Sequence, residues 1–328
     1  MPLNPQKNRV LVALGGKSSE REVSIASGRK VATALERQGY SVDLIDFGTG
    51  RFLQLPELDN IEKDSNKLPR AVNYPLVDIV RHFEVVFIAM HGKFGEDGLL
   101  QGLFEEIGIK YVGSRPVSSA VALNKKFSKQ IMEKAQIPTP EWEVLKAENE
   151  KTKMHFPVVV KPADQGSSIG VSICENNADF ELGKREAFKY SESIIIEKYL
   201  GNREISVPIL EKEPGQPQAL PVIEIIPKQK FFSYEAKYSG ETQEIVPARI
   251  SKELTQKAQE LALKTHLVHD CRHFSRVDMI VDKANKVWIL EINTIPGLTP
   301  ESLFPKSANA AGFEFNRLIA HLVKIALK

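Results

Sequence analysis

Two short runs without a polar residue, 10–14 and 85–90, constrain this chain more than any other feature of its sequence. A strand that is apolar at every position has both faces covered, and helices are the usual cover. Helical periodicity follows the first run through Val23, Ala26, Val31, Ala34 and Leu35, and Gly39 stops it. Residues 41–46 then read as a second strand, 99–107 as a helix and 109–112 as a further short strand. This alternation predicts a doubly wound parallel sheet at the N-terminus. Residues 48–75, rich in Pro, Asp and Lys, read as an irregular insertion. Ligands of such sheets bind beyond the carboxyl ends of the strands, where the 15–20 and 91–98 loops fall.

The pattern changes after residue 115. Helical stretches over 116–135 end at Pro138-Thr139-Pro140, and a strand begins within 156–161. A Gly- and Ser-rich loop at 164–170 is followed by a strand at 171–174, a helix at 177–189 and a strand at 193–200. The last third reads as strands at 204–210, 219–227, 276–282 and 286–293, with a helix at 251–268 and an amphipathic helix over 308–328. A length of 328 residues, at about 150 per domain, allows two or three domains. The divisions expected are 1–115, 116–200 and 201–328.

Composition excludes several classes. With 44 Lys and Arg against 42 Asp and Glu the net charge is +2, so no nucleic-acid footprint is expected. No apolar run approaches the roughly 18 residues that span a membrane, and no export signal is read at the N-terminus. Cys174 and Cys271 form neither a CxxC pair nor a zinc pattern. A cytoplasmic protein with reduced thiols is the expectation.

The chemistry-bearing residues form three groups. Gly16-Lys17-Ser18 suggests a phosphate loop, but position 11, where that motif needs glycine, is Leu11. The phosphate site must therefore lie elsewhere. In the 161–170 segment, Gly166 and Gly170 bracket Ser167 and Ser168, with Lys161 at the base. Such a loop offers N–H and hydroxyl donors to phosphate oxygens, and it reads equally as a glycine hairpin with a solvated lysine. Near the C-terminus, Arg276 and Asp278 share one strand face, and Glu291 and Asn293 share another. If the strands pair, these four residues meet. Their hard oxygen donors suit Mg²⁺ on phosphates, while a solvated face of cross-strand ion pairs is the alternative. His91 ends a buried strand, where it suits a general base, a cap or a substrate-orienting group.

Read together, six segments resemble the D-alanine–D-alanine ligases of the ATP-grasp superfamily, from about residue 8 to the C-terminus. They are 15–24 (Gly-Gly-Lys-Ser-Ser-Glu-Arg-Glu-Val-Ser), 91–98 (His-Gly-Lys-Phe-Gly-Glu-Asp-Gly), 161–170 (Lys-Pro-Ala-Asp-Gln-Gly-Ser-Ser-Ile-Gly), 234–238 (Tyr-Glu-Ala-Lys-Tyr), 275–278 (Ser-Arg-Val-Asp) and 291–299 (Glu-Ile-Asn-Thr-Ile-Pro-Gly-Leu-Thr). The resemblance implies an α/β protein in which the doubly wound sheet precedes a two-domain ATP-grasp fold. ATP would lie between the central and C-terminal domains, and the enzyme would join two D-alanines for peptidoglycan synthesis.

Residue by residue, the resemblance assigns Lys125 and Lys161 to the ATP phosphates, with Gly166 and Ser168 in the covering loop. Glu197, Lys198 and Leu200 would hold adenine, and Glu204 the ribose. Asp278, Glu291 and Asn293 would bind two Mg²⁺ or Mn²⁺. Glu20 would pair with the ammonium of the first D-alanine, and His91 would contact substrate. Arg276 and the Gly297 N–H would face the developing oxyanion. Ser302 and the Leu303 N–H would take the carboxylate of the second D-alanine. Ser167 and Tyr238 would bond with Glu20, and Lys237 would join the ATP set from a lid at about 228–243. A homodimer is implied by the same resemblance. Tyr at position 238 goes with the dipeptide product in this family, and Phe with D-alanyl-D-lactate. A non-catalytic nucleotide-binding relative would lack one of Arg276, Asp278, Glu291 and Asn293, and all four are present.

Overall fold

The computed structural model describes residues 9–69, 71–201, 203–226 and 242–328. The first sheet is built from β1 (Arg9–Leu14), β2 (Ser41–Asp46), β3 (Arg51–Leu53), β4 (Val85–Ile88) and β5 (Lys110–Val112), in the order β3-β2-β1-β4-β5. The four strands read from the sequence are parallel, and β3 adds an antiparallel edge. That edge corrects the reading of 48–75 as wholly irregular; the segment also holds two short 3₁₀ turns. The helices of this part are α1 (Arg21–Arg37), α2 (Leu76–His82) and α3 (Leu99–Glu106). A buried ion pair ties the start of α1 to the end of β2: Arg21 donates to both Asp46 carboxylate oxygens at 2.7 and 2.8 Å. It also donates to the Gly16 carbonyl, which fixes the loop after β1.

Two short helices, α4 (Pro116–Leu123) and α5 (Lys125–Lys134), lead into a four-stranded antiparallel sheet. Its strands β6 (Trp142–Leu145), β7 (Val158–Pro162), β8 (Ser172–Cys174) and β9 (Ile194–Lys198) run in the order β6-β9-β7-β8, with α6 (Asn177–Phe188) packed against it. The larger antiparallel sheet holds β10 (Glu204–Glu211), β11 (Pro217–Ala219), β12 (Ile223–Ile226) and β13 (Gln243–Ile245), then, after helix α7 (Lys252–Val268), β14 (Phe274–Val281) and β15 (Val287–Asn293). The expected strand 219–227 is thus two strands, separated by a stretch containing Pro221, which has no N–H for the ladder.

The chain closes with α8 (Leu303–Ala310) and α9 (Phe315–Leu327), where one helix over 308–328 was expected. Gly312 lies between them at φ +91°, a conformation in which a side chain would be strained. Leu318, Ile319, Leu322 and Val323 of α9 join the core of the first sheet, so the C-terminus returns to the N-terminal part. Among the described residues no helix is long and apolar enough to cross a membrane. Cys174 and Cys271 are both buried free thiols, pushed up to about 11 and about 12 by burial.

Candidate active site

Strands β14 and β15 pair so that Arg276 lies opposite Asn293 and Asp278 opposite Glu291. Strand alternation thus brings the four residues onto one face. Arg276 donates to both Asp278 oxygens, at 2.8 Å from Nε and 2.6 Å from Nη2. Asn293 donates to Asp278 Oδ2 at 3.0 Å, and Ser206 of β10 donates to Oδ1 at 2.6 Å. Burial alone would lower the Arg276 pKa, but the Asp278 and Glu291 carboxylates outweigh it and raise it above the ordinary arginine value.

Opposite this face stand the lysines. Asn124 caps α5 by accepting the Phe127 N–H at 3.3 Å, so Lys125 opens a helix. The Lys125 ammonium donates to the Gln165 carbonyl at 2.5 Å and lies 3.3 Å from Glu291 Oε2. Lys161 on β7 is paired with one oxygen of Glu197 on the neighbouring strand β9, and Lys129, one turn beyond Lys125, is paired with the other. Lys129 also donates to the Thr139 hydroxyl at 2.6 Å. Burial would raise the Glu197 pKa, but the two ammoniums hold it below the usual carboxylate range. Burial pushes Lys129 down to about 8, with Glu197 opposing. Glu197 was expected to hold adenine, and its side chain here is engaged by two lysines.

A cleft open to solvent runs between the two antiparallel sheets. Lys125, Lys161, Ser168, Glu197, Lys198, Leu200, Glu204, Asp278, Glu291 and Leu303 line it. Apolar walls come from Val159, Ile173, Met279 and Leu290 among others. A smaller recess shares Lys125, Gln165 and Glu291 with it and adds Gly166, Asn293 and Glu96. Apolar walls with a few convergent polar groups suit a flat base joined to an anionic chain.

On the N-terminal side, the Ser167 hydroxyl donates to Glu20 Oε1, and Ser167 and Ser168 both take left-handed backbone angles, φ 49° and 58°. Strain of this kind gathers where a loop is held for function. Glu20 is buried just before α1. Glu96, to which the sequence reading gave no role, accepts the Gly92 N–H at 2.8 Å. Burial first, and the Glu20 carboxylate second, push its pKa well above the usual carboxylate range. Its place inside the 91–98 motif was the available signal.

His91 is buried with both ring nitrogens engaged: Nε2 lies 2.9 Å from the Ser27 hydroxyl and Nδ1 3.0 Å from the Ile295 carbonyl. Burial pushes it down to about 4, so the ring is neutral near pH 7. The structure therefore makes His91 a brace between the first sheet and the turn after β15. In that turn Ser302 lies 3.0 Å from the Thr299 hydroxyl and starts α8, which puts the Leu303 N–H at a helix N-terminus. A Cβ at Gly297 would stand 2.8 Å from Ser302 Oγ, so glycine keeps the backbone close to that hydroxyl. Lys237 and Tyr238, with most of the expected lid, lie outside the described residues.

The donor set for a divalent cation is two carboxylates and an amide. Among the described residues no group of three or more His, Cys, Asp and Glu side chains is placed to hold a metal ion by itself. Asp278, Glu291 and Asn293 nevertheless present hard oxygens on one face beside two lysines, which fits a cation shared with phosphate oxygens.

The chain is similar to known proteins along nearly its whole length. The family model for the D-ala D-ala ligase N-terminus matches residues 9–114, and that for the D-ala D-ala ligase C-terminus matches 123–324. The D-alanine–D-alanine ligase of Desulforudis audaxviator is 39% identical over 326 residues, 97% of this chain and 98% of its own. That of Thermotoga maritima is 38% identical over 319 residues, 97% of each. A crystal structure of the Bacillus anthracis D-alanine–D-alanine ligase complexed with ATP matches with a TM-score of 0.78 at 29% identity, covering 97% of both chains. The fold is that of these proteins, an ATP-grasp pair of antiparallel sheets behind a doubly wound sheet. With both family models matched and full-length relatives near 38% identity, the chain belongs to the D-alanine–D-alanine ligase family.

Proposed function

We propose that this protein is an ATP-dependent ligase that joins two D-alanines into D-alanyl-D-alanine, releasing ADP and phosphate, for peptidoglycan synthesis in the cytoplasm. The observation that carries the reading is the single cleft lined by Lys125, Lys161, Ser168, Glu204, Asp278 and Glu291, with Glu20 and Ser167 meeting beside it. The working units are residues 1–115, 116–200 and 201–328, and the enzyme acts as a homodimer.

A carboxylate is a poor acylating agent at neutral pH. Its oxygen attacks the γ-phosphorus of ATP, ADP leaves, and an acyl phosphate results. Lys125 and Lys161 hold the phosphates, the 166–168 loop covers them, Lys198 and Leu200 flank the base, and Glu204 takes the ribose. Asp278, Glu291 and Asn293 would hold Mg²⁺ or Mn²⁺, which supplies charge against the triphosphate when bound. Glu20, fixed by Ser167, orients the ammonium of the first D-alanine. Ser302 and the Leu303 N–H orient the carboxylate of the second, whose amine attacks the acyl carbon and expels phosphate. Arg276, whose Nε and Nη2 bind Asp278, would stabilise the oxyanion with its remaining N–H groups, together with the Gly297 N–H. Tyr238 and Lys237 close the site, because an acyl phosphate hydrolyses if water enters.

The test is phosphate release from ATP with D-alanine, L-alanine and D-lactate compared, and identification of the product. Turnover with D-alanine and Mg²⁺ together, yielding the dipeptide, is expected. Comparable turnover with L-alanine alone would overturn the substrate assignment.

A further inference from the structure

Lys129 does not line the cleft, yet two residues that do depend on it. Its side chain is fully buried, and its ammonium is held between the Thr139 hydroxyl and Glu197 Oε1. The other Glu197 oxygen meets Lys161. Two cations thus share one carboxylate, and the buried cluster carries one positive charge in excess. We propose that Lys129 is a positioning residue that holds Glu197 from behind the cleft and, by sharing its charge, leaves Lys161 positive toward a polyphosphate.

The physical reason is competition. With Lys129 present, the Glu197 charge is divided between two ammoniums in a site where electrostatic interactions are stronger than in water. Without it, Lys161 and Glu197 close into a neutral pair, and Lys161 has no charge to spare for a ligand. The remaining pair is balanced, so the fold survives the loss. Lys125, on the same helix face one turn earlier, is tied separately to Gln165 and Glu291 and does not replace this effect. Thr139 is flanked by Pro138 and Pro140, which restrict the backbone that carries its hydroxyl.

The inference rests on the cleft being the nucleotide site, and the test separates the two. Full-length wild type, Lys129→Met and Thr139→Val are compared for KM of ATP, KM of D-alanine, and inhibition constants of ADP and adenosine. Lys129→Met is expected to weaken ATP and ADP by about tenfold, while adenosine and D-alanine change by less than about twofold, because only the phosphates sense the lost charge. Thr139→Val, which keeps the charge but removes one anchor, should shift ADP by about threefold in the same direction. If Lys129→Met does not fold, the Thr139→Val result decides. Equal weakening of ADP and adenosine, or of neither, overturns the proposal, since a merely structural lysine would disturb both alike or neither. A wild-type protein without affinity for any adenine nucleotide overturns the functional reading, and this proposal with it.

Discussion

At Glu291 the structure separates chemistry from stability. Its side chain is about a quarter exposed (24%) and its ion pair with Lys125 spans 3.3 Å, so little of the fold depends on it. Its partner Lys125 is buried but keeps the Gln165 carbonyl, so losing this pair costs about 1 kcal/mol. Glu291→Gln is therefore expected to lower turnover by roughly 10²-fold or more while changing the unfolding free energy by no more than about 1 kcal/mol. Steady-state kinetics beside urea unfolding checks it; a collapsed fold with normal activity per folded molecule would make Glu291 structural. His91 makes the contrasting case. Both its nitrogens are engaged by Ser27 and Ile295, so it braces two parts of the chain and has no ring position left for a proton relay.

Among the elements, helix α5 carries the most consequence for its length. It brings Lys125 and Lys129 to the cleft and its back wall, and Asn124 is the residue that starts it. Asn124→Ala removes the side-chain acceptor of the Phe127 N–H, which typically costs about 1 kcal/mol. For a chain of this size that corresponds to a fall in melting temperature of roughly 2 °C. Because both lysines ride on the first turns, KM for ATP is expected to rise more than KM for D-alanine. A thermal melt with parallel kinetics tests this, and a rise confined to D-alanine would contradict it. The pairing of β14 with β15 was legible in advance, since a period of two forces Arg276 with Asp278, and Glu291 with Asn293, onto common faces. The break at Gly312 was not read, because apolar spacing continues on both sides of it.

For the whole molecule, buried histidines tie the first sheet to the rest. His91 reaches the Ile295 carbonyl, and His273 accepts the Gly113 N–H at 3.0 Å. Burial pushes His91 down to about 4 and His273 to about 3, with Arg272 adding to the shift of His273. The unfolded chain takes up protons at an ordinary pKa near 6.5, and the native state resists them. Stability is therefore full above about pH 6.5 and falls as pH drops toward about 4, a loss on the order of 3 kcal/mol for His91 alone. Urea unfolding at about pH 7, 5.5 and 4.5 measures it, and His91→Gln should flatten part of the slope. A stability that stays level across that range would mean these histidines titrate normally in the fold.

The sequence by itself determined the doubly wound sheet, because runs such as 10–14 and 85–90 have no stable place except between helices. It also determined the acidic and basic face of β14 and β15, because alternation is a local property of extended chain. Only the tertiary structure decided the rest. Lys129 reads as one more polar position on a short helix, and its importance comes from Glu197, 68 residues away in sequence and joined to it only by the fold. Glu96 reads as a loop carboxylate until burial and Glu20 raise its pKa. Helix α9 lies at the end of the chain yet completes the core of the first sheet, since Leu318, Ile319, Leu322 and Val323 need an apolar partner and the sheet is the surface within reach. Local pattern fixes which faces exist; burial and the pairing of distant charges decide which of them meet.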